Sequence, residues 1–161
     1  MLLSRMTRII NRMYFVEEAS AHCDIPCGIY DPHLAQIAAL TTVRMNQLIG
    51  DLSEAPDDAK FARYVAVKEH HAELCKHEIR IIWGDYIKPE HVEQYPELHQ
   101  IVWNIMKLGS KTKQEVNLEA AQDLLDNVQK FSEIFWQTKA SSVNRQPSRQ
   151  TGGGELVYPA K

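Results

Sequence analysis

The chain has 161 residues and a formal net charge of -3 at pH 7, with 24% charged residues. That length suits one domain with a real core, the mild acidity argues against nucleic acid as the main partner, and no apolar run approaches the about 18 residues of a membrane span. Three cysteines, an odd number, argue against a disulfide scaffold and for a reducing compartment or metal ligation; the expected location is cytoplasmic.

Residues 1–21 read as a leader. Arg5, Arg8 and Arg12 are basic, and Leu2, Leu3, Met6, Ile9, Ile10 and Met13 recur at helical spacing. A secretory signal competes with this reading, but Arg8 and Arg12 interrupt its apolar core and Glu17-Glu18 precede the cut. An ordinary first helix that stays attached also competes. Ala19-Ser20-Ala21 is a small-x-small site of the kind processing proteases use.

The next stretch, His22-Cys23-Asp24-Ile25-Pro26-Cys27-Gly28-Ile29-Tyr30-Asp31-Pro32, cannot be a regular helix. Pro26 removes a backbone donor and Pro32 starts helices instead of continuing them. Gly28 permits a turn of either hand. A hook of this kind can bring Cys23 and Cys27 to one point. A cut before His22 would free an α-amino group that titrates near pH ~8. His22 would then offer an amine and an imidazole, Cys23 an amide nitrogen and a thiolate, and Cys27 a second thiolate. Two nitrogens and two sulfurs in a plane, with imidazole on the axis, suit nickel(II) or copper(II) better than zinc.

Asp31-Pro32 opens a first helix with the apolar stripe Leu34, Ile37, Ala38, Thr41, Met45, Leu48 and Ile49; Gly50 closes it. A second helix spans about 59–83, its inner face running from Phe61, Tyr64 and Val65 to Ala72, Cys75, Ile79 and Ile82. Cys75 reads as a buried structural thiol, and His70, His71 and His77 as surface or supporting groups. A loop spans 84–95. A third helix spans 96–108 and ends at Gly109-Ser110. Thr112 and Glu115 have capping-box spacing, and Asn117 is an equally good cap for a fourth helix over 118–139. Residues 140–161, with Pro147-Ser148 and Gly152-Gly153-Gly154, read as a flexible tail. The expected fold is all-α, an up-and-down four-helix bundle with an N-terminal metal-binding hook.

The hook resembles that of the nickel superoxide dismutase family, whose pattern H-C-D-x-P-C-G-x-Y-D-P is complete from His22 to Pro32. The resemblance continues through Trp83-Gly84-Asp85-Tyr86-Ile87-Lys88-Pro89-Glu90-His91 and Tyr95-Pro96-Glu97-Leu98-His99-Gln100, and covers roughly 22–139. It implies one nickel ion per subunit, held by the His22 amine and imidazole, the Cys23 amide nitrogen and thiolate, and the Cys27 thiolate. It implies superoxide as substrate, Tyr30 and Tyr86 lining its approach, and Lys88 attracting it. It also implies removal of the leader by a processing protease and assembly as a homohexamer. Asp24 matches a family aspartate and reads as shaping the hook. One departure stands out: the family supports its axial histidine with a glutamate and an arginine, where this chain has Ala38 and His71. His71 is expected to take over that hydrogen bond, alone or through water. The competing readings are a nickel or copper carrier using the same hook, and a helical interaction protein with a chance thiol pair.

Overall fold

The computed structural model of the chain describes residues 27–160. The leader, His22, Cys23, Asp24 and Pro26 lie outside the described residues. Helix α1 is His33–Asp51 and α2 is Asp58–Ile81. A π-helical turn, Ile82–Tyr86, follows without a break, then the short α3, Pro89–Gln94. Helices α4, Leu98–Gln114, and α5, Leu118–Thr138, complete the bundle. Packed pairs are α1 with α2, α2 with α4, α4 with α5, and α5 with α1. This closed ring of neighbours is the four-helix bundle expected from the periodicity. Its core is built from Val43, Cys75, Ile79, Ile105, Phe131 and Phe135 with their neighbours.

The caps follow local chemistry. Asp57 accepts the Lys60 N–H at 2.9 Å at the start of α2, and Asn117 accepts the Ala120 N–H at 2.9 Å at the start of α5. Thr112 is no cap: its hydroxyl donates to the Gly109 carbonyl inside α4. Each cap satisfies a backbone donor that has no partner within its own helix.

Five sequence expectations change. The segment read as a loop over 84–95 holds the end of the π turn and helix α3, because Pro89 opens a helical turn there. Helix α4 does not stop at Gly109 but runs to Gln114. A Cβ on Gly109 would stand 2.7 Å from Lys76 Cγ, so this glycine lets α2 and α4 approach closely. The buried face of α1 is also rotated. Leu34 is 47% exposed, whereas Ala35, Gln36, Ala39 and Val43 are buried. Phe61, placed on the inner face of α2, is exposed, and Lys68 is buried there instead. Finally, the segment read as a flexible tail carries a β-hairpin. Strand β1, Val143–Pro147, pairs antiparallel with β2, Glu155–Pro159, with Arg145 opposite Val157. It packs on α1 and α5. Ser148 and the glycines of 152–154, which looked like linker chemistry, form its turn: Ser148 N–H donates to the Gly154 carbonyl at 2.9 Å.

Lys68 shows how the bundle handles a buried charge. Its ammonium donates to the carbonyls of Thr112, of Lys113 at 3.3 Å and of Glu115 at 2.7 Å, at the end of α4. Those carbonyls lack partners within the helix and carry its negative pole. Burial lowers the lysine's pKa, opposed by Glu69 and Glu115.

Candidate metal centre

The described part of the hook begins at Cys27, which is exposed, its Sγ 3.9 Å from the Ile29 carbonyl. Gly28 has φ 75°, a left-handed conformation that a side chain resists, so the glycine sets the turn that leads out of Cys27. Two residues later Tyr30 is buried in the core cluster. Asp31 Oδ1 then accepts the His33 N–H at 2.7 Å, and Pro32 accepts the Gln36 N–H at 3.1 Å. The hook is thus exposed at its thiol and anchored at its root.

The π turn supplies the opposite wall. Ile87 N–H reaches back to the Ile82 carbonyl at 3.2 Å, one residue further than an α-helix allows. Such insertions recur at functional sites. This one sets Tyr86 against Tyr30, with ring centroids 5.7 Å apart and planes tilted by 47°. Tyr86 also packs on Phe135 at 5.0 Å and stacks on His91 at 5.4 Å. The two tyrosines named from sequence therefore meet, although one leaves the hook and the other ends the π turn.

The Tyr86 hydroxyl has a defined direction. Tyr86 Oη lies 2.9 Å from Thr138 Oγ1, and Thr138 gives its own proton to the Phe135 carbonyl at 2.7 Å. A hydroxyl has one proton, so Tyr86 donates and Thr138 accepts. The Tyr86 proton points into the bundle, and what the phenol offers outward is lone pairs and an apolar ring.

Lys88 is exposed and lines an open groove with Trp83, Ile87, Pro89 and His99. Its backbone N–H donates to His91 Nδ1 at 3.2 Å. His91 is therefore held between Lys88 and the Tyr86 ring, a link the loop reading of 84–95 did not contain. A second cation was missed: Lys139 Nζ lies 4.9 Å from the Tyr86 ring centroid. Its place at the end of α5 was legible; its contact with Tyr86 was not.

Candidate ligands divide cleanly. Cys75 is fully buried and its thiol is pushed up to about 12, by desolvation first and by Glu78 second. It stays a thiol and is no ligand. Among the described residues no group of three His, Cys, Asp or Glu could hold a metal. The described donor is Cys27, whose exposed sulfur fits a thiolate ligand; His22 and Cys23 lie outside. Of the pair expected to support the axial imidazole, Ala38 is buried and offers no side-chain polar group. His71 is half-buried, its Nδ1 2.9 Å from the Val67 carbonyl. A carbonyl only accepts, so Nδ1 carries the proton and Nε2 is the nitrogen left over.

The family model described as nickel-containing superoxide dismutase matches residues 17–139. A superoxide dismutase of Streptomyces coelicolor, named as the nickel enzyme, is 41% identical over 121 residues, 74% of this chain and 89% of that protein. Its namesake from Streptomyces seoulensis is 42% identical over 123 residues, 76% and 91%. A solved native nickel superoxide dismutase superposes with TM-score 0.67 at 39% identity, covering 73% of this chain and 99% of its own. A structure with the nickel ligation of the oxidised state gives 0.67 at 38%, covering 74% and 100%.

Proposed function

Because the chain belongs to the nickel-containing superoxide dismutase family, we infer that it disproportionates superoxide with nickel as its cofactor. One superoxide loses an electron and leaves as dioxygen; a second gains that electron and two protons and leaves as hydrogen peroxide. Nickel, when bound, supplies the one-electron centre for both halves. The residues that would hold it are His22, Cys23 and Cys27.

The chain's own residues do the rest. Tyr30 and Tyr86 form an aromatic wall beside the hook, narrowing the approach to a small anion. Tyr86 presents lone pairs there, which suits it to hold an ordered water as acceptor. Lys88 and Lys139 bring positive charge to a chain that is negative overall, and local charge of this kind raises encounter rates. The observation that carries this reading is the meeting of Tyr30 with Tyr86 at 5.7 Å, which places the root of the hook against the second family motif.

The finer reading has three parts. The leader is removed so that His22 becomes the terminus, supported by the small-x-small site before it. The mature chain assembles as a homohexamer, supported by apolar side chains at the surface, among them Ile29 and Trp103, and by an exposed hook thiol that needs a roof. It works in the cytoplasm, supported by the odd cysteine count and by the buried thiol of Cys75.

Mass spectrometry of the native protein, with metal analysis and superoxide decay kinetics, tests the first two with the activity, and fractionation of the producing cells tests the third. A chain starting at His22, one nickel per subunit, a sixfold mass and rapid decay are expected. Full activity with Ala21 still joined to His22 would reject the ligand set; nickel binding without superoxide decay would leave only a carrier.

A further inference from the structure

The family span ends at 139, so the hairpin over β1 and β2 lies beyond it. It is nonetheless built into the fold. Leu156 and Val157 are each 1% exposed. Among the described residues the sheet has two strands, and the inner edge of β2 is met by side chains. Fully buried Gln36 on α1 donates from Nε2 to the Val157 carbonyl at 3.0 Å and accepts the Val157 N–H at 2.7 Å. Gln129 on α5 donates to the Glu155 carbonyl at 2.7 Å. Arg145 of β1 donates to Glu133 at 2.5 Å and to Gln129 at 2.9 Å. Undocking the hairpin would break these hydrogen bonds, those of buried Gln36 and Gln129 among them, and expose Leu156 and Val157.

Docking carries Tyr158 to the base of the hook. Its ring centroid lies 5.7 Å from that of His33, the first residue of α1. That same turn receives the hook: His33 N–H is held by Asp31 and Gln36 N–H by Pro32. One turn of helix therefore holds the hairpin through Gln36, its tyrosine through His33, and the root of the hook through both backbone amides.

We propose that Tyr158 is a positioning residue for the hook: held by the docked hairpin, its ring restrains His33 and so limits the swing of residues 27–32 that deliver the Cys27 thiolate. The proposal rests on the reading of residues 22–27 as the nickel hook. It assigns the added segment a task in the reaction without substrate contact.

The test uses the full chain processed to His22. Tyr158→Ala removes the ring, Tyr158→Leu keeps apolar volume should alanine fail to fold, and Tyr158→Phe restores the ring. In the metal-free protein, hydrogen exchange at the His33 and Gln36 amides should speed up about tenfold in the alanine and leucine variants and stay slow in the phenylalanine variant. In the nickel-loaded protein, loss of the metal to a chelator should accelerate several-fold in the first two only. Wild-type exchange and wild-type nickel loss in both would overturn the proposal. Cys27→Ser separates the two levels. If serine releases the nickel while Tyr158→Ala changes nothing, only the role of Tyr158 falls. If serine leaves nickel binding intact, the hook reading fails and this inference with it.

Discussion

Tyr86 donates its phenolic proton to Thr138, the last residue of α5. That bond ties the π turn to the end of another helix and decides which way the phenol faces. Thr138→Val should leave the helices intact, cost about 1 kcal/mol of stability through the lost bond, and release the Tyr86 proton toward the hook. Turnover should then change while thermal unfolding shifts only slightly. Unaltered steady-state kinetics would show that the orientation of this hydroxyl is immaterial.

Lys68 ends α4 from a neighbouring helix. Lys68→Met keeps the aliphatic stem and removes the ammonium, leaving three carbonyls without their donor. The expected loss is about 2 kcal/mol or more, since an unsatisfied buried group costs roughly 1–3 kcal/mol. Denaturant titration measures it. A methionine variant as stable as the parent would mean that water takes over those carbonyls.

Glu73 gathers Arg80 at 2.9 Å, Lys113 at 3.0 Å and Lys76 at 3.6 Å. Burial pushes its carboxyl up, but the hydrogen bonds from Arg80 and Lys113 and the nearby positive charges outweigh it, bringing the pKa from 4.5 to about 2. A depressed carboxylate stabilises the fold above its unfolded value and loses that effect as pH falls through the folded one. Between pH 4.5 and about 2 the melting temperature should fall more steeply in the parent than in Glu73→Gln. Because this side chain is partly exposed, added salt should shrink the difference. Parallel melting curves would reject the network's contribution.

His71 is half-buried, and its Nδ1 proton is committed to Val67. Its Nε2 is therefore the atom through which it would support the His22 imidazole, directly or across a water. Groups that orient a metal-bound imidazole typically matter about 10–100-fold in metal affinity or activity. His71→Ala should lose nickel affinity or turnover in that range and shift the redox potential of the site. Unchanged activity together with unchanged metal spectra would show that the imidazole is supported from elsewhere.

Much of the bundle was legible because its helices are long and periodic, and because Asp31-Pro32 and Asn117 lie at the starts of two of them; the cap at Asp57 was not read. The exit from the hook was legible in part, because Gly28 permits a turn and its φ is 75°, while His22 to Pro26 lie outside the described residues. The failures share one cause, which is that composition does not report what lies across a contact. Gly109 resembles a stop signal unless Lys76 is known to press against it. Gln36 looks like a surface residue until Val157 arrives to use both ends of its amide. Ser148 and the three glycines after Thr151 look like linker, yet they form a turn that returns Leu156 to the core. Tyr86 could be named from its motif, but its direction depends on Thr138.

The two ends of the hairpin differ in what they tolerate. A fluorophore or affinity handle appended beyond Pro159 would emerge next to His33, crowding the very entrance whose chemistry it was meant to report. Thr151, at the tip of the loop and exposed, faces solvent beside Arg44 in the middle of α1. Labelling there would leave the reactive end of the molecule undisturbed.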